Sequence, residues 1–506
     1  MLSLGAIPWT LARRDPELPA LRLDALTLTA AQLDRAAAGV AAALQGRGIG
    51  AGHRVAILCG NSLAFPVALY GALRTGAAVA PLSTASPAAE LQGAVRALRA
   101  RAVIADPDGA SGARRALSDA GSSAPVLVID DGAGRSRGDR LALDILTEHP
   151  STDPVAVPAA APAVILGTSG TTGLPRRAVH SHAGLLLNAR AVAGEMLGMG
   201  TGDRQLCALP LAHSFGLSAV LNASLVAGCG VVILRRFDAA EAVAAIESQR
   251  VTIVQGVPTM LARLVAERAA AGAGIPLPGV RRVVVSGAPL PAGLAAGVHR
   301  HLCADVVERW GMTECSPLTM RAVPASGGEP GDVGRPLWGV CVRVAGDAAP
   351  GAEGELEAAS PTLFSGYLSD RRATREAVVG GFLRTGDLGT VAPDGRVTLR
   401  GRLKDVIVRG GNNVAALEVE RVLERHPAVR EAAVFGVPDP ELGEEVAAVV
   451  VLDPRHTAAE ADLAAHCRSL LSAYKVPRQW AMAPGLPRTS TGKVRKGELR
   501  RDFAAR

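Results

Sequence analysis

The segment that most constrains this chain is Leu166-Gly-Thr-Ser-Gly-Thr-Thr-Gly-Leu-Pro175. The apolar run Val164-Ile-Leu166 in front of it reads as a strand, so the loop opens at a strand's C-terminal end. Three glycines interleaved with four hydroxyl residues leave backbone amides uncovered and set short neutral donors beside them. Such loops wrap phosphate oxygens. A plain Ser/Thr/Gly linker accounts for the composition but not for the order. The segment is not a GxxxxGK[ST] loop, a GxSxG nucleophile elbow or a GxGxxG dinucleotide fingerprint.

Helix and strand signals alternate on both sides of this loop. Thr29-Ala-Ala-Gln32 is a capping box, and Leu33, Ala37, Val40, Ala41 and Leu44 behind it share one helical face. Glycines in 46–52 break that helix. A strand Arg54–Leu58, a helix near 63–73 and a strand near 78–82 follow. Residues 106–162 read as a peripheral, loop-rich stretch with one strand-like island at 126–129. The alternation returns over 163–302, with Asp238 capping a helix and strands at 251–254 and 283–285. Short Gly- and Pro-punctuated strands over 331–401 indicate an antiparallel sheet or small barrel. Residues 402–506 read as a compact α+β unit: a hairpin at Gly410-Gly411, a helix over 417–425, strands at 432–436 and 446–452, and a helix over 459–471. The expected fold is α/β. A large N-terminal domain (1–401) is made of doubly wound α/β subdomains plus a small β-barrel, and a small C-terminal α+β domain (402–506) follows.

Composition narrows the function classes. With 506 residues, 48% of them hydrophobic, a large core is within reach, and with 3% aromatics Ala, Val and Leu must fill it. Seven cysteines, an odd number without a CxxC, fit neither a disulfide framework nor a zinc site, and reduced thiols imply a cytoplasmic protein. The net charge of +7 is mild, and base-stacking aromatics are scarce, which argues against nucleic acid. The N-terminus lacks the charged lead of a signal peptide, and no apolar run reaches the roughly 20 residues of a membrane span. Only four lysines occur, Lys404, Lys475, Lys493 and Lys496, against 50 arginines. Each lysine therefore invites a reason, although chance suffices for Lys475 and Lys496.

Further motifs follow the loop in order: Leu209-Pro-Leu-Ala-His-Ser-Phe-Gly216, Ser286-Gly-Ala-Pro-Leu290, Trp310-Gly-Met-Thr-Glu314, Leu383-Arg-Thr-Gly-Asp-Leu388, Gly401-Arg-Leu-Lys-Asp405, Gly411-Asn-Asn-Val-Ala-Ala-Leu-Glu-Val-Glu420 and Pro487-Arg-Thr-Ser-Thr-Gly-Lys493. The set resembles the adenylate-forming superfamily, the family of acyl-CoA ligases, peptide-synthetase adenylation domains and firefly-type luciferases, over nearly the whole chain. The resemblance implies a reaction in two halves. A carboxylate first attacks the α-phosphate of ATP to give acyl-AMP and pyrophosphate. The small domain then rotates about a hinge at Lys404, and a thiol, here CoA, displaces AMP. Thr168, Ser169, Gly170, Thr171, Thr172 and Gly173 would hold phosphates. Ser286, Gly287, Ala288 and Pro289 would lie beside the adenine, with Trp310 stacking on it where the family usually has Tyr. Gly311 and Met312 complete that segment. Thr313 would bond the α-phosphate, and Glu314 would hold Mg²⁺. Asp387 would take the ribose hydroxyls with Arg402, and Lys493 would bridge the carboxylate and the α-phosphate. His213 would position substrate at the mouth of the acyl and thiol tunnels, beside Ala212 and Gly216, with Gly411 on the thiol side.

Two departures matter. Arg176-Arg177 stands where the family usually has Lys-Gly, and an Arg in place of that Gly threatens the space of the β- and γ-phosphates. Ala415-Ala416 replaces a usual aromatic followed by Pro. Three activities therefore remain open: a full acyl-CoA ligase, an enzyme that only transfers the acyl group from preformed acyl-AMP supplied by a separate adenylating enzyme, and an acyl-AMP ligase loading a carrier-protein thiol. The missing Asp near His213 argues against amino acids as substrates. Small residues at Ala212, Gly216, Gly287 and Ala288 suggest a roomy apolar pocket for a bulky hydrophobic acid, and no lone charge in these segments calls for a dicarboxylate.

Overall fold

The structure, a computed structural model, describes residues 3–130, 140–168, 176–272, 274–326, 328–329, 331–346, 349, 351–488 and 494–504. Its first sheet is built around the strand Arg54–Leu58, which is flanked in parallel by Ala78–Pro81 and Ala102–Ala105. Side chains alternate between the sheet's two faces. Val55 and Ile57 enter one core with the helices Ala30–Gln45 and Ala64–Arg74. Ala56 and Leu58 enter another, under the helices Ala88–Leu98 and Pro107–Asp119. Burial on both faces explains why these strands read as unbroken apolar runs. The parallel run ends at Pro162–Gly167, beyond which Arg177–Ser181 turns back antiparallel. The phosphate-type loop lies at that reversal.

The second sheet carries six parallel strands in the order Pro19–Leu23, Gly230–Ile233, Arg204–Cys207, Ile253–Gly256, Arg282–Val285 and Val306–Met312. Leu21, Val231 and Ile233 share the first core with Val55 and Ile57, so the two sheets close on one interior. The chain then turns antiparallel through Cys315–Ala322 and Asp332–Pro336. The short strands expected over 331–401 are antiparallel and continue this sheet outward as Val397–Arg402, Phe382–Val391, Glu353–Ala359 and Cys341–Val344.

The third sheet belongs to the C-terminal segment. Val406–Arg409 and Asn412–Ala415 form the expected hairpin, whose turn residues Gly410 and Gly411 both have positive φ. Two positive φ angles define the primed hairpin turn and explain the glycine pair. Val429–Asp439, Gly443–Leu452 and Gln479–Met482 complete the sheet, and the helices Ala416–Leu423 and Glu460–Leu470 cover it.

Residues 106–162 overturn the expectation of a loop-rich stretch. Asp106 accepts from the Gly109 amide, Pro107 occupies the first turn, and a helix runs over Pro107–Asp119. Its buried face is Ala110, Ala113, Ala116 and Leu117, so small residues hide the periodicity. A second helix spans Leu143–Glu148. The strand expected at 251–254 lies two residues later, because Val251 still bonds back to Ile246 at the end of the preceding helix. Among the described residues no helix is long and apolar enough to cross a membrane.

Candidate active site

The strands Val306–Met312 and Cys315–Ala322 pair with Met312 opposite Cys315, so Thr313 and Glu314 form a two-residue turn at the end of the hairpin. Trp310 is buried behind that turn, and its indole Nε1 donates to Asp387 Oδ2 at 2.9 Å. Asp387 lies on Phe382–Val391 directly opposite Arg402 on the neighbouring strand. Arg402 Nε sits 2.8 Å from the other oxygen, Oδ1. Trp310, Asp387 and Arg402 thus form one charge-balanced cluster behind the hairpin turn, with Trp310 and Asp387 buried and Arg402 half-exposed.

Glu314 has a partner that sequence reading missed. The hydroxyl of Tyr367 donates to Glu314 Oε1 at 2.8 Å, and the Phe364 amide donates to the Glu314 carbonyl. Burial first and the Glu314 carboxylate second raise the Tyr367 phenol above its usual range, with Arg176 opposing them. The Arg176 guanidinium lies 5.3 Å from the Tyr367 ring centroid. The available signal was a Gly-Tyr step in a chain with three tyrosines.

Thr168 closes the base of the phosphate loop. Its amide donates to the Arg176 carbonyl at 2.8 Å, and its hydroxyl does so at 3.3 Å. Ser169, Gly170, Thr171, Thr172 and Gly173 lie outside the described residues. Arg177 begins the strand Arg177–Ser181. Alternation puts Ala178 and His180 on one face, and Ala178 packs in the Trp310 cluster. Arg177 shares the other face with Val179, which packs toward the helix Ala88–Leu98. Burial lowers the Arg177 pKa, and Glu90 of that helix is the acid that offsets it. The guanidinium expected to crowd the phosphates is therefore on the face away from Trp310.

Around the adenine candidates, the Ser286 hydroxyl donates to the Arg309 carbonyl at 3.2 Å. Gly287, at φ +92°, is exposed with Ala288 and Pro289. Gly311 packs against Ser316, and Met312 joins the Trp310 cluster. His213 is half-buried, and its amide bonds to Pro210. Ala212 packs on the main core. A Cβ on Gly216 would collide with the Pro210 carbonyl, so this glycine makes room for the chain itself and not for a ligand. Gly411 faces open space at its hairpin turn. Lys404 follows Arg402 in the turn Leu403–Asp405, where partial burial and then Arg402 lower its pKa. Lys493 lies outside the described residues, in a segment whose base is closed by a bridge between Arg488 and Val494. Lys475 and Lys496 pair with Glu418 and Glu420, which accounts for both without chemistry.

A cavity lies behind Thr313. His180, Asn188, Ser214, Ser218, Arg309 and Ser316 line it, with Leu166 and Leu185 as its apolar part. This lining is polar where small residues had suggested a roomy apolar pocket. The reason is local. Gly216 is filled by backbone, Gly287 and Ala288 face out, and strand alternation turns Arg309 to the side opposite Glu308 and Trp310.

The geometry agrees with comparisons to known proteins. Residues 9–368 match the AMP-binding enzyme family, and residues 418–493 match the AMP-binding enzyme C-terminal domain. A feruloyl-CoA synthase of Amycolatopsis is 34% identical over 507 residues, covering 99% of each chain. A sulfoacetate–CoA ligase of Cupriavidus necator is 34% identical, covering 95% of this chain and 92% of its own. Among solved structures, ATP-bound MatB of Rhodopseudomonas palustris superposes with a TM-score of 0.88 at 30% identity, covering 99% of both chains.

Proposed function

The chain belongs to the AMP-binding enzyme family and is an acid–thiol ligase, and from that premise we infer that it performs both halves of acyl-CoA formation. In the first half a carboxylate oxygen attacks the α-phosphorus of ATP, the bond to the β-phosphate oxygen breaks, and pyrophosphate leaves. In the second half the CoA sulfur attacks the acyl carbon, and AMP leaves with the electrons of the acyl–oxygen bond. The observation that carries this reading is the Trp310–Asp387–Arg402 cluster directly behind the Thr313-Glu314 turn.

Each side chain has a task that suits its surroundings. Asp387 keeps a free lone pair on each oxygen for the ribose hydroxyls even with Arg402 and Trp310 bound. Thr313 donates to the α-phosphate. Lys493 stabilises charge as the acyl–phosphate bond forms. Glu314 offers a carboxylate oriented by Tyr367, the hard oxygen donor that Mg²⁺ takes together with substrate phosphates. When bound, that ion neutralises triphosphate charge. His213 stands at the entrance to the acid's site. Residues 1–401 form the substrate-binding domain, and residues 402–506 rotate about Lys404 between the halves.

The placement of Arg177 toward Glu90 supports an intact first half, against the reading in which only acyl transfer from preformed acyl-AMP survives. Relatives named for feruloyl and sulfoacetate substrates span acids with and without a second charge, so their names leave the acid open. The test is to measure acid-dependent ATP–pyrophosphate exchange and CoA thioester formation from synthetic acyl-AMP separately. Wild type should perform both. Lys493→Ala should lose exchange by roughly 100-fold or more, the scale of one transition-state charge donor, and keep most thioester formation. Thioester formation without exchange in the wild type would favour the transfer-only reading. AMP release only with a carrier-protein thiol would favour carrier loading.

A further inference from the structure

Four arginines are buried in the described part of the molecule: Arg74, Arg268, Arg309 and Arg409. Three of them have a carboxylate. Arg74 lies 2.6 Å from Asp34, Arg268 lies 3.1 Å from Glu247, and Arg409 lies 2.5 Å from Glu445. Arg309 is 6% exposed and forms no ion pair among the described residues, and its Nε has no hydrogen-bond partner. Its guanidinium stacks 4.1 Å from the Phe215 ring centroid. A ring face attracts a cation but accepts no directed hydrogen bonds comparable to those of a carboxylate. Burial pushes the Arg309 pKa down only to about 10, so the group is charged at neutral pH. A buried charge without a counter-charge is costly to hold, which is why the other three are paired.

Arg309 borders the cavity behind Thr313, which is small, about 10 Å³, and two further polar atoms there lack partners. The Asn188 amide donates to the Ser316 carbonyl, which leaves its Oδ1 unpaired, and His180 Nε2 is unpaired as well. Burial lowers His180 to about 4, so its ring is neutral. Three unpartnered buried atoms thus share one cavity, and although Arg74 and Arg268 also leave Nε unpaired, each of the other buried arginines has a carboxylate. Thr313, which in the reading above bonds the α-phosphate that the reacting carboxylate attacks, lines the same cavity. Also on its wall stands a cation with no carboxylate partner among the described residues.

We propose that the acid taken by this site is compact and carries a second oxyanion, carboxylate or sulfonate, that pairs with Arg309. The Ser214 and Ser218 hydroxyls of the same lining supply further donors, and His180 Nε2 and Asn188 Oδ1 accept from any hydroxyl or bound water that accompanies the ligand. The proposal rests on the ligase reading above and replaces the bulky hydrophobic acid that the small residues had suggested. Arg309 acts in it as the specificity-determining residue, because a neutral acid leaves its charge uncompensated.

The experiment compares short α,ω-dicarboxylic acids, ω-sulfo carboxylic acids of equal length, the monomethyl esters of the diacids and plain monocarboxylic acids. ATP–pyrophosphate exchange is followed in wild type and in Arg309→Met. The doubly charged acids should exceed their esters by about 100-fold in kcat/KM, and the variant should lose about that factor for them while gaining on the monocarboxylic acids. The ratio of carboxylate to sulfonate rates separates the two anions. Esters or monocarboxylic acids turned over as well as the diacids, or a variant with unchanged ranking, would overturn the proposal. If the variant does not fold, the wild-type ranking decides. If no acid supports exchange or thioester formation, it is the ligase reading that fails. Calorimetry of the diacids with AMP present then decides the anion site: binding lost in Arg309→Met upholds it, and equal or absent binding sinks it.

Discussion

Trp310 meets two demands at one position. In the proposed role its ring presents a face to an adenine, while its indole N–H already belongs to the Asp387 carboxylate. The Tyr usual at this position in related chains has no indole N–H, so the bond to Asp387 goes with the substitution. Trp310→Phe keeps an aromatic face and removes the donor, which leaves a buried carboxylate oxygen short of one partner. A hydrogen bond to a charged group is worth about 1.5–3 kcal/mol. The variant should therefore raise KM for ATP by roughly 10-fold and leave KM for the acid unchanged, read by exchange kinetics. An unaltered KM for ATP would mean that Arg402 alone orients Asp387. The lysines show what was legible at this scale. Scarcity marked all four, and ion pairs to Glu418 and Glu420 remove Lys475 and Lys496 from the list of chemical candidates. Arg309 and His180 escaped the same reading because arginine is ubiquitous here, and because only strand register decides which face a residue takes.

The helix Ala64–Arg74 shows how closely these elements are fitted. All its residues are buried, as expected of a helix that is apolar on nearly every side, and its one charge, Arg74, is paired with Asp34. Gly71 lets it approach the helix Ala30–Gln45, since a Cβ there would lie 2.6 Å from Val40 Cβ. Gly71→Ala is favoured by helix propensity by about 1 kcal/mol, but overpacking of a filled core costs about 1–3 kcal/mol. The clash should win, and the urea midpoint should fall. An unchanged or higher midpoint would show that the two helices can part at no cost. Elements with strong local signals were legible in advance: the Thr29–Gln32 capping box forms with both of its hydrogen bonds, and the strand Arg54–Leu58 keeps its expected bounds. The helix Pro107–Asp119 was not legible, because a face made of alanines carries little contrast with its polar side. Gly216 was hard to read for a related reason. Small residues in a motif signal space, but at Gly216 that space belongs to Pro210.

At the scale of the whole molecule the question is what holds the C-terminal sheet against the rest. The helix Ala416–Leu423 reaches across with Arg421, whose Nη1 donates to the Leu399 carbonyl at 3.3 Å on the strand that also carries Arg402. Burial lowers the Arg421 pKa, and Glu308, two residues before Trp310, is the foremost charge that offsets it. The hydrogen bond thus ties the small unit to the strand that carries Arg402, and the charge of Glu308 on the Trp310 strand favours it. It is also imperfect, because Arg421 Nη2 is buried without a partner. A permanent interface would be expected to satisfy that donor, whereas a contact that must break once per turnover gains from staying weak. The rotation about Lys404 proposed above would require it to break. Arg421→Ala removes a hydrogen bond of about 0.5–1.5 kcal/mol from this arrangement, and if the rotated arrangement lacks that bond the balance between them shifts by roughly 2- to 10-fold. The ratio of exchange rate to thioester-forming rate should shift within that range, while hydrogen exchange quickens in 397–402 and 416–423. Faster exchange with an unchanged ratio would mean that docking of the small unit is not what divides the two halves.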